Sequence, residues 1–290
     1  TFVEIGGKYD NLDGYDYLDV QYTNYIYVND YTKYGKLKKQ KKKVVNEEKP
    51  VITCRYVQYK DGEKGVMPKI LQKLLQSRKD TRKIQAQFKK GSIEWLIKEG
   101  EQSAYKVTAN SLYGQCGSKN SKFRFKEVAA SVTASGRKNL EFARDEIEGN
   151  YEGSDVIYGD TDSIFIKFKN VDMCGRVISG QASIDRSIQL CIEGAQRISK
   201  QLVKPHNLEF EKCIYPFILF TKKRYHGHYY TVGCKDSYYQ NSMGIELKRR
   251  DNAQIVKRVF GGAINIIMKE LNIEKGIRVC SAINSRYLCW

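Results

Sequence analysis

Apolar residues recur at three- and four-residue spacing in five stretches of this chain, and at two-residue spacing in shorter runs between them. After Gly62 and Gly65, Pro68 opens the first helical pattern, carried by Ile70, Leu71, Leu74 and Leu75 and continuing toward Phe88. Lys89-Lys90-Gly91-Ser92 turns the chain, and a second helix runs from Ser92 or Ile93 to about Leu112, ending at Tyr113-Gly114. The pair predicts two antiparallel helices joined by a tight turn. Residues 127–149 predict a third helix, with Val128, Val132, Leu140 and Ile147 apolar; 183–203 predicts a fourth and 251–273 an amphipathic fifth. Val51–Val57 reads as the clearest strand, 156–168 as a β-hairpin, Leu208–Lys212 as an alternating strand, Ile214–Phe220 as an apolar one, and 229–250 as further strands. The fold class is α+β: an antiparallel sheet backed by helices, with a two-helix projection.

Charge narrows the choice of partner. Fifty lysines and arginines against 33 acids leave a formal net charge of +17. The run Lys36–Lys43 supplies six lysines and no acid, so +11 remains on the rest of the chain. Basicity spread this widely favours a polyanion over a single basic tail. The Tyr- and Asp-rich opening, residues 1–66, predicts strands joined by a solvated surface loop that holds the lysine run. Eight cysteines without a C-x₂-C pair, and three histidines, argue against a zinc module and fit reduced thiols in an intracellular protein. The chain has no signal peptide and no apolar run of the roughly 18 residues a membrane span needs, so the expectation is a soluble protein with no membrane partner. It does not open on Met and reads as a piece of something longer.

The chemistry concentrates in Tyr158-Gly159-Asp160-Thr161-Asp162-Ser163, between the runs Val156-Ile157-Tyr158 and Ile164-Phe165-Ile166. Gly and Asp between β-branched and aromatic residues predict a hairpin with the acids at its tip. In extended backbone, positions i and i+2 share a face, so Asp160 and Asp162 are expected to converge. Two hard carboxylates suit Mg²⁺, and the use that follows is a two-metal phosphoryl or nucleotidyl transfer.

Four further segments add cations. On a helix, Lys106, Asn110 and Tyr113 fall on one face, with Gln102 a turn earlier. Arg78 and Arg82, i and i+4 on the preceding helix, are expected to face Lys106 across the hairpin, where guanidinium forks grip phosphate. Thr221-Lys222-Lys223-Arg224-Tyr225 follows an apolar strand, and Gly244-Ile245-Glu246-Leu247-Lys248-Arg249-Arg250-Asp251-Asn252 precedes the last helix. Both suit a nucleic-acid backbone. His226 and His228 read as surface or hairpin residues rather than metal ligands.

In this order and spacing the segments resemble the family B DNA polymerases, over about residues 51 to 270. That family carries K-x₃-N-S-x-Y-G on a fingers helix, matched by Lys106 to Gly114. It carries Y-G-D-T-D-S in the palm, matched by Tyr158 to Ser163, K-K-R-Y before the thumb, matched by Lys222 to Tyr225, and R-R-D leading into the thumb, matched by Arg249 to Asp251. Ala129-Ala130-Ser131-Val132-Thr133 with Gly136-Arg137 is similar to the helix before the acidic hairpin. The opening segment looks most like polymerases of large eukaryotic DNA viruses.

The resemblance implies a palm-associated segment at 1–66, a fingers hairpin at 67–114, the palm at 115–240 and the start of a helical thumb at 241–290. It implies DNA-directed DNA synthesis with two Mg²⁺ ions, on primer–template DNA and deoxynucleoside triphosphates, in a host nucleus or viral replication compartment. Asp162 becomes the principal metal ligand, with Asp160 supporting it and Glu211 a further candidate. Lys106, Arg78 and Arg82 hold the triphosphate, Asn110 lies near the nucleotide, and Tyr113 checks the minor groove. Lys222, Lys223, Arg224, Tyr225, Arg249 and Arg250 contact DNA. A processivity factor is compatible with this reading, but no residue identifies one.

One family element is missing. D-x-x-S-L-Y-P-S, which supplies the other metal-binding aspartate and the tyrosine that excludes a ribose 2′-OH, does not occur here. Asp19, in Leu18-Asp19-Val20-Gln21-Tyr22, lacks its surroundings. The expectation is a fragment inactive in isolation, its parent a polymerase. The competing reading is a polymerase fold that grips primer–template without chemistry; two intact acids argue against it. Reverse transcriptases and RNA polymerases typically place their aspartates side by side, whereas Thr161 separates these.

Overall fold

The computed structural model describes all residues except 1, 33, 39, 40, 173, 234–238, 249 and 279–290. The chain divides into two compact units, Thr1–Lys138 and Asn139 onward.

In the first unit, β2 (Tyr15–Thr23) and β5 (Val51–Tyr59) pair antiparallel along their whole length, from Tyr15↔Tyr59 to Thr23↔Val51. β1 (Phe2–Val3) completes the sheet on the other side of β5. Val3, Tyr22 and Cys54 are buried. The Tyr56 hydroxyl donates to Ser131 Oγ at 2.8 Å, tying the sheet to the start of α3 (Lys126–Asn150). Between β2 and β5 lies a second, two-stranded ribbon, β3 (Tyr25–Val28) with β4 (Lys42–Val45). The expected solvated loop is thus partly strand. Lys42 and Lys43 sit in β4, which pairs antiparallel with β3 from Tyr25↔Val45 to Val28↔Lys42.

α1 (Val66–Gln85) and α2 (Ile93–Gly117) form the expected helical hairpin, with Ser92 Oγ capping α2 by accepting from the Trp95 N–H. α2 runs past Gly114 to Gly117. Burial of Cys116, whose carbonyl accepts from the Phe125 N–H at 2.8 Å, outweighs the modest helix cost of one glycine.

In the second unit, β6 (Asp155–Asp160) and β7 (Ser163–Lys167) form a hairpin against the end of α3 and against α4 (Gly180–Gln201). Ala143, Ile147 and Ile198 are the buried centre, with Val156, Ile164 and Ile166 packed on them. Gly194 lets the helices close, since a Cβ there would come within 2.7 Å of Ile147 Cδ1. A second sheet is ordered β8 (Cys213–Thr221), β9 (Arg224–Tyr230), β10 (Tyr239–Met243) with β9 central, and α5 (Gln254–Glu270) buries Ile264 and Met268 with Ile245, against which Ile218 of β8 packs.

Two expectations are corrected. Leu208–Lys212 is not a strand: Leu208 packs on the Ile147–Ile198 core, and Ser199 Oγ satisfies both its N–H and its carbonyl at 2.8 Å. With its backbone groups taken by a helix side chain, no sheet partner is required. His226 and His228 lie in the β8–β9 hairpin as expected, yet they are buried rather than on the surface, because β9 is paired on both edges. Burial lowers the pKa of each. His226 Nδ1 meets Ser242 Oγ at 2.8 Å. Among the described residues no helix is long and apolar enough to cross a membrane.

Candidate functional site

β6 and β7 close on the pair Asp160↔Ser163, leaving Thr161 and Asp162 as the turn. Thr161 takes the left-handed conformation, φ +58°, and the Asp162 N–H donates to the Asp160 carbonyl at 2.6 Å. A β-branched residue with positive φ is uncommon and costly. The expected extended backbone through both acids is therefore corrected: the chain reverses between them. Asp160 ends its strand half-buried, and Asp162 stands exposed at the tip.

A second turn meets the first. Lys222 and Lys223 connect Thr221 to Arg224 between β8 and β9, and Lys223 also has positive φ, +60°. Its N–H donates to the Tyr158 hydroxyl at 2.8 Å, and its ammonium lies 2.7 Å from Asp160 Oδ1 and 3.1 Å from Thr161 Oγ1. The Lys223 hydrogen bond holds the Asp160 carboxyl below the ordinary carboxylate range, assisted by Thr161. Asp160 in turn raises Lys223, and the charge of Asp162 adds to that. Lys222 is exposed beside it, and Arg224 pairs with Glu246.

Tyr225 is 6% exposed, its ring against Phe165, Phe217 and Tyr158 at 5.4, 5.7 and 6.4 Å. That leaves little of it for DNA to touch; it fastens β9 to the acidic hairpin. Burial pushes its hydroxyl up, Lys212 opposes, and the charges of Asp160 and Glu211 both add to the rise. Two acids thus act on one ring, although Glu211, 75% exposed, is paired with Lys212 at 2.8 Å.

Gly244 sets how close the lysine turn sits. It has φ +61°, and a Cβ there would collide with the Lys223 carbonyl oxygen. Gly244→Ala is expected to cost about 1–2 kcal/mol and to shift the lysine turn off Asp160. Thermal unfolding and the NMR-titrated pKa of Asp160, moving up toward its ordinary value, check this. Unchanged values for both would show that the turn absorbs a side chain freely.

On the helical hairpin the seam is polar. Arg78 Nε donates to Gln102 Oε1 at 3.1 Å, Thr81 to Glu101 at 3.4 Å, and Gln85 to Glu99 at 2.6 Å. Arg78 is therefore close to the level of Gln102, and Lys106 lies about one turn further along α2, roughly 6 Å away along the axis. Arg82 falls on the other side of that level, roughly 12 Å from Lys106 along the axis. Of the two arginines, Arg78 therefore lies nearer the level of Lys106. Lys106, Asn110 and Tyr113 are all exposed.

The model of DNA polymerase family B matches residues 20–289. The chain belongs to that family. It is 39% identical to the DNA polymerase of Pyramimonas orientalis virus, over 93% of this chain and 24% of that protein. It is 33% identical to the DNA polymerase delta catalytic subunit of Drosophila melanogaster, over 78% of this chain and 20% of the relative. Its fold is similar to that of a family B DNA polymerase from Pyrobaculum calidifontis, with TM-score 0.50 and 24% identity over 80% of this chain and 26% of that one. This family B chain spans about a quarter or less of the length of these relatives.

Arg249 lies outside the described residues, and Arg250 is exposed in the turn before α5. Asp19 is committed elsewhere, its carboxylate 2.7 Å from Arg55 Nη2, while Arg55 Nη1 holds Asp10 at 2.9 Å. Tyr158, Glu246 and the Lys223–Asp160 pair were not foreseen; their partners lie 22 to 65 residues away, beyond any local pattern.

Among the described residues no three His, Cys, Asp or Glu side chains gather to hold a metal. Asp162 suits a hard divalent ion: it is an exposed carboxylate. Asp160 has already accepted the ammonium of Lys223. One exposed carboxylate is a single donor of the several oxygens a hard divalent ion takes, so the described residues do not by themselves complete a metal site.

Proposed function

We propose that this chain carries the nucleotide-binding helices and the acidic turn of a DNA-directed DNA polymerase. That enzyme adds deoxynucleotides to a primer 3′-OH along a template, releasing pyrophosphate. The observation that carries the reading is the acidic turn itself: Asp162 exposed at its tip, with Asp160 locked to Lys223 behind it. Similarity to the DNA polymerases of Pyramimonas orientalis virus and Phaeocystis pouchetii virus supports replication of a viral genome, and so a nuclear or viral replication compartment.

In this reading Asp162 holds Mg²⁺, which would neutralise developing charge on the triphosphate. Lys106 and Arg78 bind the triphosphate oxygens, with Arg82 more distant, and Asn110 and Tyr113 line the nucleotide on the exposed stripe of α2. Lys222 and Lys223 meet the primer backbone, with Arg250 further along the chain; Arg224 and Tyr225 position that turn from behind. The division into fingers at 67–114, palm at 115–240 and thumb from 241 is part of the same proposal. A second ion would need oxygens from outside this donor set, the role that the family resemblance gives to the D-x-x-S-L-Y-P-S aspartate. The 290 residues alone are therefore inactive.

Lys106→Ala in the complete reading frame tests this. A charge-assisted bond to phosphate is worth about 1.5–3 kcal/mol. KM for deoxynucleotide should rise roughly 10- to 100-fold, with DNA affinity unchanged. Primer extension with an unaltered KM would remove Lys106 from the site, and extension by the isolated chain would overturn its inactivity.

A further inference from the structure

The ribbon of β3 and β4 is unexplained by polymerisation. All four residues of β3 are exposed, the aromatic Tyr25 and Tyr27 and the aliphatic Ile26 and Val28. A two-stranded ribbon is marginal without a covering partner. Its base is well anchored: the Asn24 N–H donates to the Pro50 carbonyl at 2.8 Å, the Asn46 N–H to the Asn24 carbonyl at 2.9 Å, and Asn24 Nδ2 to the Lys49 carbonyl at 3.0 Å. Its outer turn is closed by the Tyr31↔Leu37 bridge and by Lys38 on Asp30 at 2.9 Å. This is a built arm rather than a slack insertion.

Register sorts its faces. Tyr25 opposes Val45 and Tyr27 opposes Lys43, so both tyrosines share one face with Lys43; Ile26, Val28, Lys42 and Val44 form the other. Lys43 Nζ lies 3.9 Å over the Tyr25 ring, and Tyr27 is 64% exposed. Between residues 25 and 45 the sequence has seven lysines and one acid, Asp30. A strongly cationic ribbon favours an anionic occupant, and exposed rings beside the ammoniums suit one with flat faces to offer. Stacked duplex bases hide those faces; single-stranded bases present them.

We infer that the β3–β4 ribbon is a single-stranded DNA-binding arm, with Tyr27 and Tyr25 stacking on bases while Lys43, on the same face, neutralises a phosphate. It goes beyond the catalytic reading and uses none of the residues assigned there.

The test uses the 290-residue chain, fluorescence anisotropy, and a labelled oligothymidylate beside a hairpin duplex of the same label. Tyr27→Leu keeps an apolar strand residue but removes the ring, and should weaken single-strand binding by about tenfold, the scale of one base–aromatic stack. Duplex binding should be unchanged, and Tyr27→Phe should retain single-strand affinity within about twofold. Lys43→Gln should reduce the salt slope of single-strand binding by about 0.7, one phosphate, whereas Lys42→Gln on the opposite face should leave it unchanged. Circular dichroism on each variant guards against unfolding. Single-strand affinity insensitive to Tyr27→Leu, an equal loss on the duplex, or no single-strand binding by the parent chain would each overturn the inference. No readout depends on nucleotide incorporation, so the failure of this inference leaves the polymerase reading standing, and the reverse also holds.

Discussion

Asp162→Ala lowers single-turnover nucleotide incorporation by the complete polymerase about 1000-fold or more, while leaving primer–template affinity nearly unchanged. The size follows from the several kcal/mol that a positioned divalent ion supplies in phosphoryl transfer, at 1.36 kcal/mol per tenfold in rate. Asp160→Asn behaves differently. The amide still accepts from Thr161 and Lys223, so the loss should be on the order of tenfold, that of one charge-assisted hydrogen bond. The distinction rests on the geometry of the turn: Asp160 is half-buried and paired with Lys223, whereas Asp162 is exposed. Equal losses from the two substitutions would show that both acids hold the ion and that the Lys223 pair is opened in the working enzyme.

The largest effect on stability is expected at Ile198. Its side chain is 0% exposed and lies with Ala143 and Ile147 beneath Val156, Ile164 and Ile166 of the acidic hairpin. Ile198→Ala should cost about 3–4 kcal/mol, the transfer free energy plus the cavity left behind, against roughly 1 kcal/mol for Ile198→Val. Urea unfolding of the chain measures both. The alanine variant should also loosen the hairpin, seen as faster amide exchange in β6 and β7. A cost below about 1 kcal/mol for alanine would mean the helices collapse over the gap and that this core does not hold the turn.

Much of the architecture was legible from local pattern. The helical hairpin, the third, fourth and fifth helices and the acidic hairpin all lie within a few residues of their predicted spans, because each is amphipathic at its own period. The misreadings have one cause. Leu208–Lys212 alternates like a strand, but alternation records only which side chains are buried, and Leu208 is buried by a helix. His226 and Tyr225 are polar residues beside three cations, a pattern that reads as surface until β10 covers the other edge of β9. Lys42 and Lys43 were hidden inside a charge run whose strand partner lies well before it in the chain.

The order of residues settled the family, the placement of two acids in one turn, and the cationic stripe on a helix, since these depend on spacings of a few residues. Which groups actually meet was left to the folded chain: Lys223 with Asp160, the Tyr158 hydroxyl with a lysine backbone 65 residues away, Gly244 under a carbonyl, Arg55 between two aspartates. A lysine or an aspartate looks the same in sequence whether it is solvated or paired. Its partner is chosen by the path of the chain, and the burial of Ile147, Ile198 and Ile245 is what holds that path in place.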